Sequence, residues 1–184
     1  MYILGAGTLG EIVLETAMRA GIKVFGFFDD VSEASECDGH PILGDFQDFM
    51  KNRSAMSKGA FIAIGDNFKR QTYTDVFCRL GVKFPNIIDP NSNISPSATF
   101  GEGNLILPGA VVGTKCTIGT GNIIFQGVSI NHHNIVGNCC FFSPNSSIGG
   151  YTEIGDCCKI GMNCVVLPYK ALPSGQQYGP LTVI

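Results

Sequence analysis

Two adjacent histidines, His132 and His133, are the side chains of this sequence best suited to proton transfer. An imidazole titrates near neutral pH, so it can remove a proton from an amine or a hydroxyl group as a general base. The pair lies in the segment Ile-Asn-His-His-Asn-Ile, residues 130–135. Taken alone, these residues fit a catalytic base and an exposed pair without a function equally well.

A glycine-rich loop near the N-terminus has the spacing of a phosphate-binding turn. Residues 5–10, Gly-Ala-Gly-Thr-Leu-Gly, follow a short apolar run and precede a segment of helical spacing that stops at Gly21. In nucleotide-binding folds such glycines let the backbone approach a ligand, and the helix N-terminus faces a diphosphate. The loop therefore predicts a nucleotide site, with a tight turn that binds no ligand as the alternative.

Polar residues follow the next two predicted strands of this half. Residues 23–28 form a predicted strand that ends in Asp29 and Asp30, where such folds place a ribose-binding carboxylate. A third predicted strand is followed by Gly65 and Asn67. Because open α/β sheets bind ligands at their carboxyl edge, these residues belong to one predicted site. The domain has half the length of a full dinucleotide domain, so we expect a site of mononucleotide size.

The composition excludes several classes of partner and cofactor. The net charge is −3 without a concentrated run of Lys or Arg, so we expect neither nucleic acid nor a membrane as a partner. No apolar run is long enough to cross a bilayer and the N-terminus lacks signal-peptide features, which predicts a cytoplasmic protein. The eight cysteines form no Cys-x-x-Cys pair and are interpreted as reduced, small core residues. No metal is expected, since a histidine zinc site needs three ligands and His40 belongs to the other domain.

A six-residue period runs through the second half of the chain. Steps of six from position 94 meet an apolar residue thirteen times in one register. These residues are Ile94, Phe100, Ile106, Val112, Ile118, Ile124, Ile130, Val136, Phe142, Ile148, Ile154, Ile160 and Val166. An α-helix repeats its apolar stripe every three or four residues and cannot produce this period. A parallel β-helix can, because each hexad supplies a short strand and a corner, and three hexads complete a triangular coil.

These patterns predict an α/β Rossmann-like βαβ domain followed by an all-β left-handed parallel β-helix. The first domain is assigned to residues 1–85, a connector to 86–93, the β-helix of about four coils to 94–168 and a C-terminal tail to 169–184. Four of the six cysteines in this half fall at a small inward position of the hexad. Packing three flat-faced prisms about an axis forms three clefts, so a homotrimer is expected.

The markers of one family occur together in this chain. They are Ile3-Leu4-Gly5-Ala6-Gly7, Phe28-Asp29-Asp30, Ala63-Ile64-Gly65-Asp66-Asn67, residues 91–98 and the hexapeptide track. With them the chain resembles the bacterial sugar O- and N-acyltransferases related to sialic acid O-acetyltransferase and the UDP-4-amino-sugar N-acetyltransferases. The resemblance implies that the first domain holds a nucleotide sugar. It also implies that acetyl-CoA lies between adjacent β-helices of a homotrimer and that a corner histidine is the base.

The resemblance gives each candidate residue an implied role. His132 is the implied base, with His133 beside it, and deprotonates the sugar amine as it attacks the acetyl-CoA thioester. A backbone amide near Gly150 would stabilise the oxyanion, and Gly161 and Met162 would line the pantetheine track. The nucleotide-sugar pocket would be formed by Gly5, Gly7, Thr8, Asp29, Asp30, Gly65 and Asn67.

Several positions depart from the family pattern. The acid that usually follows the base is His133, and the acid that precedes it is Asn131. A polar residue upstream of the base is replaced by Phe125, and a second histidine downstream by Phe141. The family continues with a further coil where residues 169–184 stand, so we expect this shorter end to lack surface that holds part of CoA.

The predicted function is acetyl-CoA-dependent N-acetylation of a nucleotide-linked amino sugar, a UDP- or dTDP-4-amino-dideoxy sugar used in polysaccharide or glycoprotein synthesis. O-acetylation of a sugar, or the use of another acyl donor, is an alternative on the same fold. A non-catalytic trimeric scaffold that binds a nucleotide sugar is a second alternative, which the missing acid beside His132 favours. A dehydrogenase is not expected, because the first domain lacks a second mononucleotide half.

Overall fold

The computed structural model describes residues 1–184, which form two compact units, Met1–Ile87 and Ile88–Ile184. The first unit contains the strands β1 (Tyr2–Leu4), β2 (Phe27–Phe28), β3 (Glu36–Cys37), β4 (His40–Pro41) and β5 (Ala60–Ile62). Its helices are α1 (Thr8–Arg19), α2 (Phe46–Lys51), α3 (Arg53–Ser57) and α4 (Asn67–Arg79). No helix is both long and apolar enough to cross a membrane.

A three-stranded parallel sheet in the order β2-β1-β5 forms the centre of this unit. The predicted βαβ arrangement is present, and β3 and β4 pair as a short antiparallel hairpin. Aromatic rings pack helices α2 and α4 onto the sheet. The ring of Phe49 lies 5.2 Å from that of Phe28 and 5.5 Å from that of Phe77, both edge to face, the favoured geometry for such pairs.

The second unit is a parallel β-helix. Its strands are β6 (Ile87–Ile88), β7 (Asn93–Ile94), β8 (Thr99–Phe100), β9 (Leu105–Ile106), β10 (Val111–Val112), β11 (Thr117–Ile118), β12 (Ile123–Ile124), β13 (Ser129–Ile130), β14 (Ile135–Val136), β15 (Phe141–Phe142), β16 (Ser147–Ile148), β17 (Glu153–Ile154), β18 (Lys159–Ile160), β19 (Val165–Val166), β20 (Ala171–Leu172) and β21 (Gln177–Tyr178). They stack in three parallel sheets of five, five and six strands. The fold class predicted from the repeat is confirmed.

The coil continues beyond the predicted end of the β-helix. Residues 169–184, predicted as a tail, contain β20 and β21 and a bridge from Val183 to Val165, so the β-helix has about five turns rather than four. Leu172 is 5% exposed, and Ile184 packs against the same core. Both residues continue the six-residue register, which explains why the segment coils. The prediction that residues 169–184 form a tail outside the β-helix is therefore wrong. The predicted connector, residues 86–93, also contributes strand β6 to the β-helix.

The cysteines follow the inward pattern with exceptions. The four at the small inward position, Cys116, Cys140, Cys158 and Cys164, are all buried. The Cys140 thiol donates to the carbonyl oxygen of Gly155, 3.1 Å away on the next coil. Cys139 and Cys157 are also buried but lie at corners, with φ of 53° and 56°. Cys78 in α4 is exposed, so the prediction that all eight are core residues is wrong there.

Candidate functional site

His132 and His133 lie at a corner of the β-helix between strands β13 and β14. The buried side chains of Ile130 and Val136 anchor the two strands, and the residues between them turn outward. His133 has a φ of 59°, a left-handed conformation that turns the chain, and its N–H donates to the carbonyl oxygen of Thr114 at 2.8 Å. His132 is exposed and His133 is half-buried. The corner therefore presents the His132 ring outward while holding the His133 backbone rigidly.

The two imidazoles contact each other and begin a column of stacked rings. The Nδ1 atoms of His132 and His133 are 3.2 Å apart, within hydrogen-bond distance. The His133 ring stacks on Tyr151, with centroids 4.7 Å apart and planes at 17°, and Tyr151 stacks on Tyr169 at 5.3 Å and 3°. Sequence analysis missed both tyrosines, although they lie 18 and 36 residues after His133 and therefore in the same column of the coil.

Gly150 lies directly against the ring of the predicted base. A Cβ atom on Gly150 would be 2.6 Å from Cε1 of His132 and 3.0 Å from each ring nitrogen. The imidazole thus occupies the space that any other residue at position 150 would fill. The structure brings together the predicted base and the glycine predicted to supply the oxyanion donor.

The N–H of Gly150 donates to no acceptor within the chain. At another corner of the coil, equivalent N–H groups are each capped by a side chain of the next coil. Thr120 donates to Oδ1 of Asn138 at 2.8 Å, and Asn138 donates to Oδ1 of Asp156 at 2.6 Å. Asp156 in turn donates to Oγ of Ser174 at 3.0 Å. Backbone N–H groups are normally paired, so the free donor beside an imidazole is suited to a developing oxyanion.

Three other residues of the coil have different surroundings. The Nδ2 of Asn131 donates to the carbonyl oxygen of Ile148 at 3.1 Å, so this amide braces the coil. Gly161 and Met162 lie at a different corner, after β18. A Cβ on Gly161 would be 2.5 Å from the carbonyl carbon of Gly179, which explains the glycine by packing alone, whereas Met162 is exposed. Within one chain the structure does not bring Gly161 and Met162 to the histidine pair.

The cysteines and acids form no metal cluster, and burial affects the reactivity of two of the thiols. No group of three or more His, Cys, Asp or Glu side chains is arranged to hold a metal ion. Burial raises the pKa of the Cys116 and Cys164 thiols. Because the thiolate is the nucleophile, these two buried cysteines are unsuited to covalent catalysis.

The glycine loop of the first unit leads from β1 into α1. Gly5 has a φ of 113°, and a Cβ there would lie 2.7 Å from the carbonyl oxygen of Ala63. A Cβ on Gly10 would overlap the Gly5 carbonyl oxygen, so packing requires both glycines. Gly7 differs, because it begins α1 without a side-chain cap and a Cβ there would have no atom within 4 Å. Gly65 also faces open space, so at these two positions a glycine leaves room for a ligand.

Asp29, predicted to contact the nucleotide, binds the backbone of its own unit. Its Oδ2 accepts the N–H of Ala6 at 2.6 Å, and its Oδ1 accepts those of Val31 and Ser32 at 2.8 and 2.7 Å. Partial burial raises the pKa of Asp29, but the three hydrogen bonds outweigh it and the pKa lies below its ordinary value. This carboxylate ties the glycine loop to the loop after β2. Thr8, the first residue of α1, is exposed.

Asp30 and Asn67 also have protein partners. Asp30 accepts the N–H of Phe46 at 2.8 Å and the hydroxyl of Tyr73 at 3.2 Å. Asn67 accepts a hydrogen bond at 2.8 Å from Nη2 of Arg70, whose side chain is 1% exposed. These contacts shape the loops, and binding of a nucleotide by Asp30 and Asn67 stays a prediction. Sequence analysis missed Arg70, because an arginine in a polar helix is normally exposed.

Comparison with known proteins shows what this chain is similar to. The PglD N-terminal domain family matches residues 1–77. The whole chain is similar to PerB of Caulobacter crescentus, solved with CoA and GDP-perosamine. The TM-score is 0.92 and the identity 27%, over 100% of this chain and 87% of that one. The chain therefore has the fold of PerB over its whole length and resembles the sugar acyltransferases that have a left-handed β-helix.

Two other proteins are similar to this chain. The acetyltransferase domain of PglB from Neisseria gonorrhoeae is similar to this chain with a TM-score of 0.93 and 28% identity, over 100% of this chain and 89% of that one. A curated relative, uncharacterized protein L142 of Acanthamoeba polyphaga mimivirus, is 30% identical over 104 residues. The chain spans only 20% of the length of that viral protein. The family resemblance predicted from the sequence is confirmed.

Proposed function

We propose that this chain transfers the acetyl group of acetyl-CoA to the amino group of a nucleotide-linked amino sugar, a UDP- or dTDP-4-amino-dideoxy sugar. The observation that carries the proposal is the contact between the His132 imidazole and Gly150, which places a base next to a free N–H donor. PerB, which is similar over the whole chain, is a GDP-perosamine N-acetyltransferase solved with CoA. That similarity supports CoA and an amino sugar as the two substrates.

The proposed reaction needs a base and an oxyanion donor. The sugar amine attacks the thioester carbonyl, and His132 accepts the proton that the amine loses. The Gly150 N–H donates to the oxygen, which becomes negative as the tetrahedral intermediate forms. The C–S bond then breaks, and CoA leaves as a thiol after taking the proton from His132. Holding both substrates in this geometry removes the need for a covalent acyl-enzyme.

The glycine loop is the proposed site of the nucleotide diphosphate. The first N–H groups of α1 have no side-chain cap, and a helix N-terminus favours bound anions. The open space at Gly7 and Gly65 admits a ligand close to the backbone, and the exposed Thr8 adds a hydroxyl. Asp29 acts in this proposal by holding the loop in shape.

We infer that the active protein is a homotrimer in the cytoplasm. His132 stands exposed at one corner, so a single chain supplies only one wall of a cleft for acetyl-CoA. Gly161 and Met162, at a different corner, would line the acetyl-CoA track from a neighbouring chain. All eight cysteines are free thiols, which fits a reducing compartment. Light scattering should therefore give three times the 19.6 kDa mass of the chain.

The test is mass spectrometry of the products formed from acetyl-CoA and a panel of UDP-, dTDP- and GDP-linked amino sugars. We expect a product heavier by one acetyl group. His132→Ala should lower its rate by about 100- to 10,000-fold, the usual contribution of a general base. His40→Ala is the matched control, because it removes the third histidine and leaves the corner intact.

Each other result would point elsewhere. Acetylation that survives His132→Ala would leave the enzyme but remove the proposed base. Acetylation of a sugar hydroxyl instead of the amine would establish the O-acetyltransferase alternative. Binding of a nucleotide sugar without any turnover would favour the scaffold.

A further inference from the structure

The position that follows the base holds an imidazole with an unusual environment. His133 contacts His132 through Nδ1 on one edge and Tyr151 on one face. We propose that His133 is a positioning residue: a neutral imidazole that accepts the Nδ1–H of His132 and so leaves Nε2 of His132 free to act as the base. This inference rests on the proposed function and assigns to an uncharged side chain the task of orienting the base.

The distance between the two nitrogens decides what the pair can do. At 3.2 Å, one of the two Nδ1 atoms must carry a hydrogen and the other must accept it. If His133 donates, His132 carries its hydrogen on Nε2 and cannot take a proton there. If His132 donates, its Nε2 bears the lone pair that the reaction requires. Only the second arrangement makes an active site.

The proton can be followed through the reaction in this arrangement. The amine loses a proton to Nε2 of His132 as its C–N bond to the acetyl group forms, and His132 becomes an imidazolium. The Nδ1–H of the imidazolium still donates to His133, which stays neutral with its hydrogen on Nε2. The departing sulfur of CoA takes the proton from Nε2 as the C–S bond breaks, which restores the pair. If His133 were protonated on both ring nitrogens, both Nδ1 atoms would carry a hydrogen. The hydrogen bond between the two imidazoles would then be lost.

The ring column holds His133 in the required orientation. Its backbone is fixed by the left-handed corner and by the hydrogen bond to Thr114, and its ring is held against Tyr151. Tyr151 is itself stacked on Tyr169, with planes at 3°. The titratable groups of this column are Lys115, one coil before His133, and the two tyrosines after it, so no carboxylate faces the pair from the column.

Three substitutions at position 133 separate hydrogen bonding from stacking. His133→Asn places an amide oxygen near the position of Nδ1 and tolerates a positive φ. His133→Phe keeps a ring against Tyr151 and has no acceptor. His133→Asp adds the negative charge that this chain lacks. Thermal unfolding should first show that the three variants are folded.

We expect kcat to depend more on the hydrogen-bond acceptor at position 133 than on the ring that stacks against Tyr151. His133→Phe should lower kcat by about 10- to 100-fold, which corresponds to one lost charge-assisted hydrogen bond, with KM for acetyl-CoA little changed. His133→Asn should retain kcat within about threefold, since its acceptor replaces the lost one. His133→Asp should retain kcat and move the acidic limb of the kcat–pH profile upward, because a carboxylate favours the charged imidazole. Full activity in His133→Phe, or an equal loss in His133→Asn, would overturn the proposal.

A spectroscopic measurement tests the pair without any turnover. Long-range 1H–15N spectra distinguish the two neutral forms of an imidazole, and the chain has only three histidines to assign. His132 should carry its hydrogen on Nδ1 in the wild type and lose this preference in His133→Phe. A hydrogen on Nε2 of His132 in the wild type would refute the inference. If the wild type carried this hydrogen on Nδ1 but acetylated no sugar, the proposed function would be refuted and the inference about the histidine pair would stand.

Discussion

Replacing Gly150 by alanine tests the contact on which the proposed site depends. The new Cβ would lie 2.6 Å from Cε1 of His132, whereas carbon atoms in contact settle at about 3.5 Å or more. The imidazole must therefore retreat by about 1 Å, because the φ of Gly150 is not in the left-handed region and the backbone itself accepts alanine. A misplacement of about 1 Å can cost about 100-fold in rate. We expect kcat of Gly150→Ala to fall by about that factor.

The assay is initial-rate acetylation, with Gly179→Ala as the matched control. Gly179 belongs to the same β-helix, and a Cβ there would meet its nearest atom, Oγ1 of Thr182, at 3.7 Å, an ordinary contact. This control should retain both its rate and its stability. Equal rates for Gly150→Ala and the wild type would refute the reasoning, since the predicted clash would then not displace the base.

A second measurement shows whether the clash involves His132. Forcing a side chain off its rotamer costs about 0.5–1.5 kcal/mol, so Gly150→Ala should lower the free energy of unfolding by about this amount. In a His132→Ala background the ring is absent, and the same change should cost much less. Equal costs in both backgrounds would mean that the alanine meets something other than the imidazole.

Three further comparisons test the glycine loop, the Asp29 carboxylate and the last coil. Gly10→Ala should lower the midpoint of urea unfolding, since its Cβ would overlap a carbonyl oxygen of the loop. Gly7→Ala should be as stable as the wild type, but calorimetry should show that it binds the nucleotide sugar less tightly. Equal stability of Gly10→Ala and Gly7→Ala would contradict the predicted difference between the two positions. Asp29 has a lowered pKa in the folded state, so its charged form contributes stability above pH of about 4 that is lost as the pH falls toward the lower folded pKa. Urea unfolding between pH 6 and 3, values chosen around the ordinary carboxyl pKa of about 4, should show this loss in the wild type. The Asp29→Asn variant should not show this loss of stability at low pH. If its stability fell with pH as steeply as that of the wild type, the loss could not come from the Asp29 carboxylate. Leu172→Ala should cost about 2–5 kcal/mol of unfolding free energy, whereas Leu181→Ala, at a side chain that is 77% exposed, should cost less than about 0.5 kcal/mol. Equal costs for the two leucines would mean that the last coil is not packed in solution.

The β-helix was predictable because each hexad places one large side chain in the interior. That rule needs no long-range information, since a strand and a corner are specified within six residues. The predicted end at residue 168 was wrong because the segment after it begins with exposed residues such as Tyr169. Leu172 and Ile184 keep the register, and they would have placed the fifth coil if the six-residue steps had been continued.

The roles of side chains in the loops were less accessible to sequence reasoning. The spacing of the glycine loop and Asp29 predicts that they lie together, and the structure places them in contact through the Ala6 N–H. Spacing does not determine whether a carboxylate turns toward a ligand or toward nearby N–H groups, because that depends on loop geometry. The sequence also does not distinguish Gly7 from Gly10. Only the structure shows that Gly7 has open space around it, whereas Gly10 is packed against the Gly5 carbonyl oxygen.

The corner that carries His132 and His133 was partly predictable from the sequence. A coil of 18 residues predicts that Gly150 and Tyr151 stand beside His132 and His133. It does not predict that one ring fills the space above a glycine while the other ring stacks, since this depends on side-chain rotamers. The contact between the two Nδ1 atoms likewise has no signal in the sequence beyond the adjacency of the two histidines.

The hydrogen bonds that join each coil to the next, here called ladders, have a consequence for how such a protein can change in evolution. Asn122 accepts the N–H of Cys140 and donates its own N–H to Asn104, and each of these bonds joins residues 18 apart. A duplication or loss of 18 codons would therefore preserve every ladder, and only the number of coils would change. Removing one codon would shift all later aliphatic residues out of phase with the interior. Gene length in this half of the protein should thus vary in whole coils among descendants, while its corners accept substitutions one residue at a time.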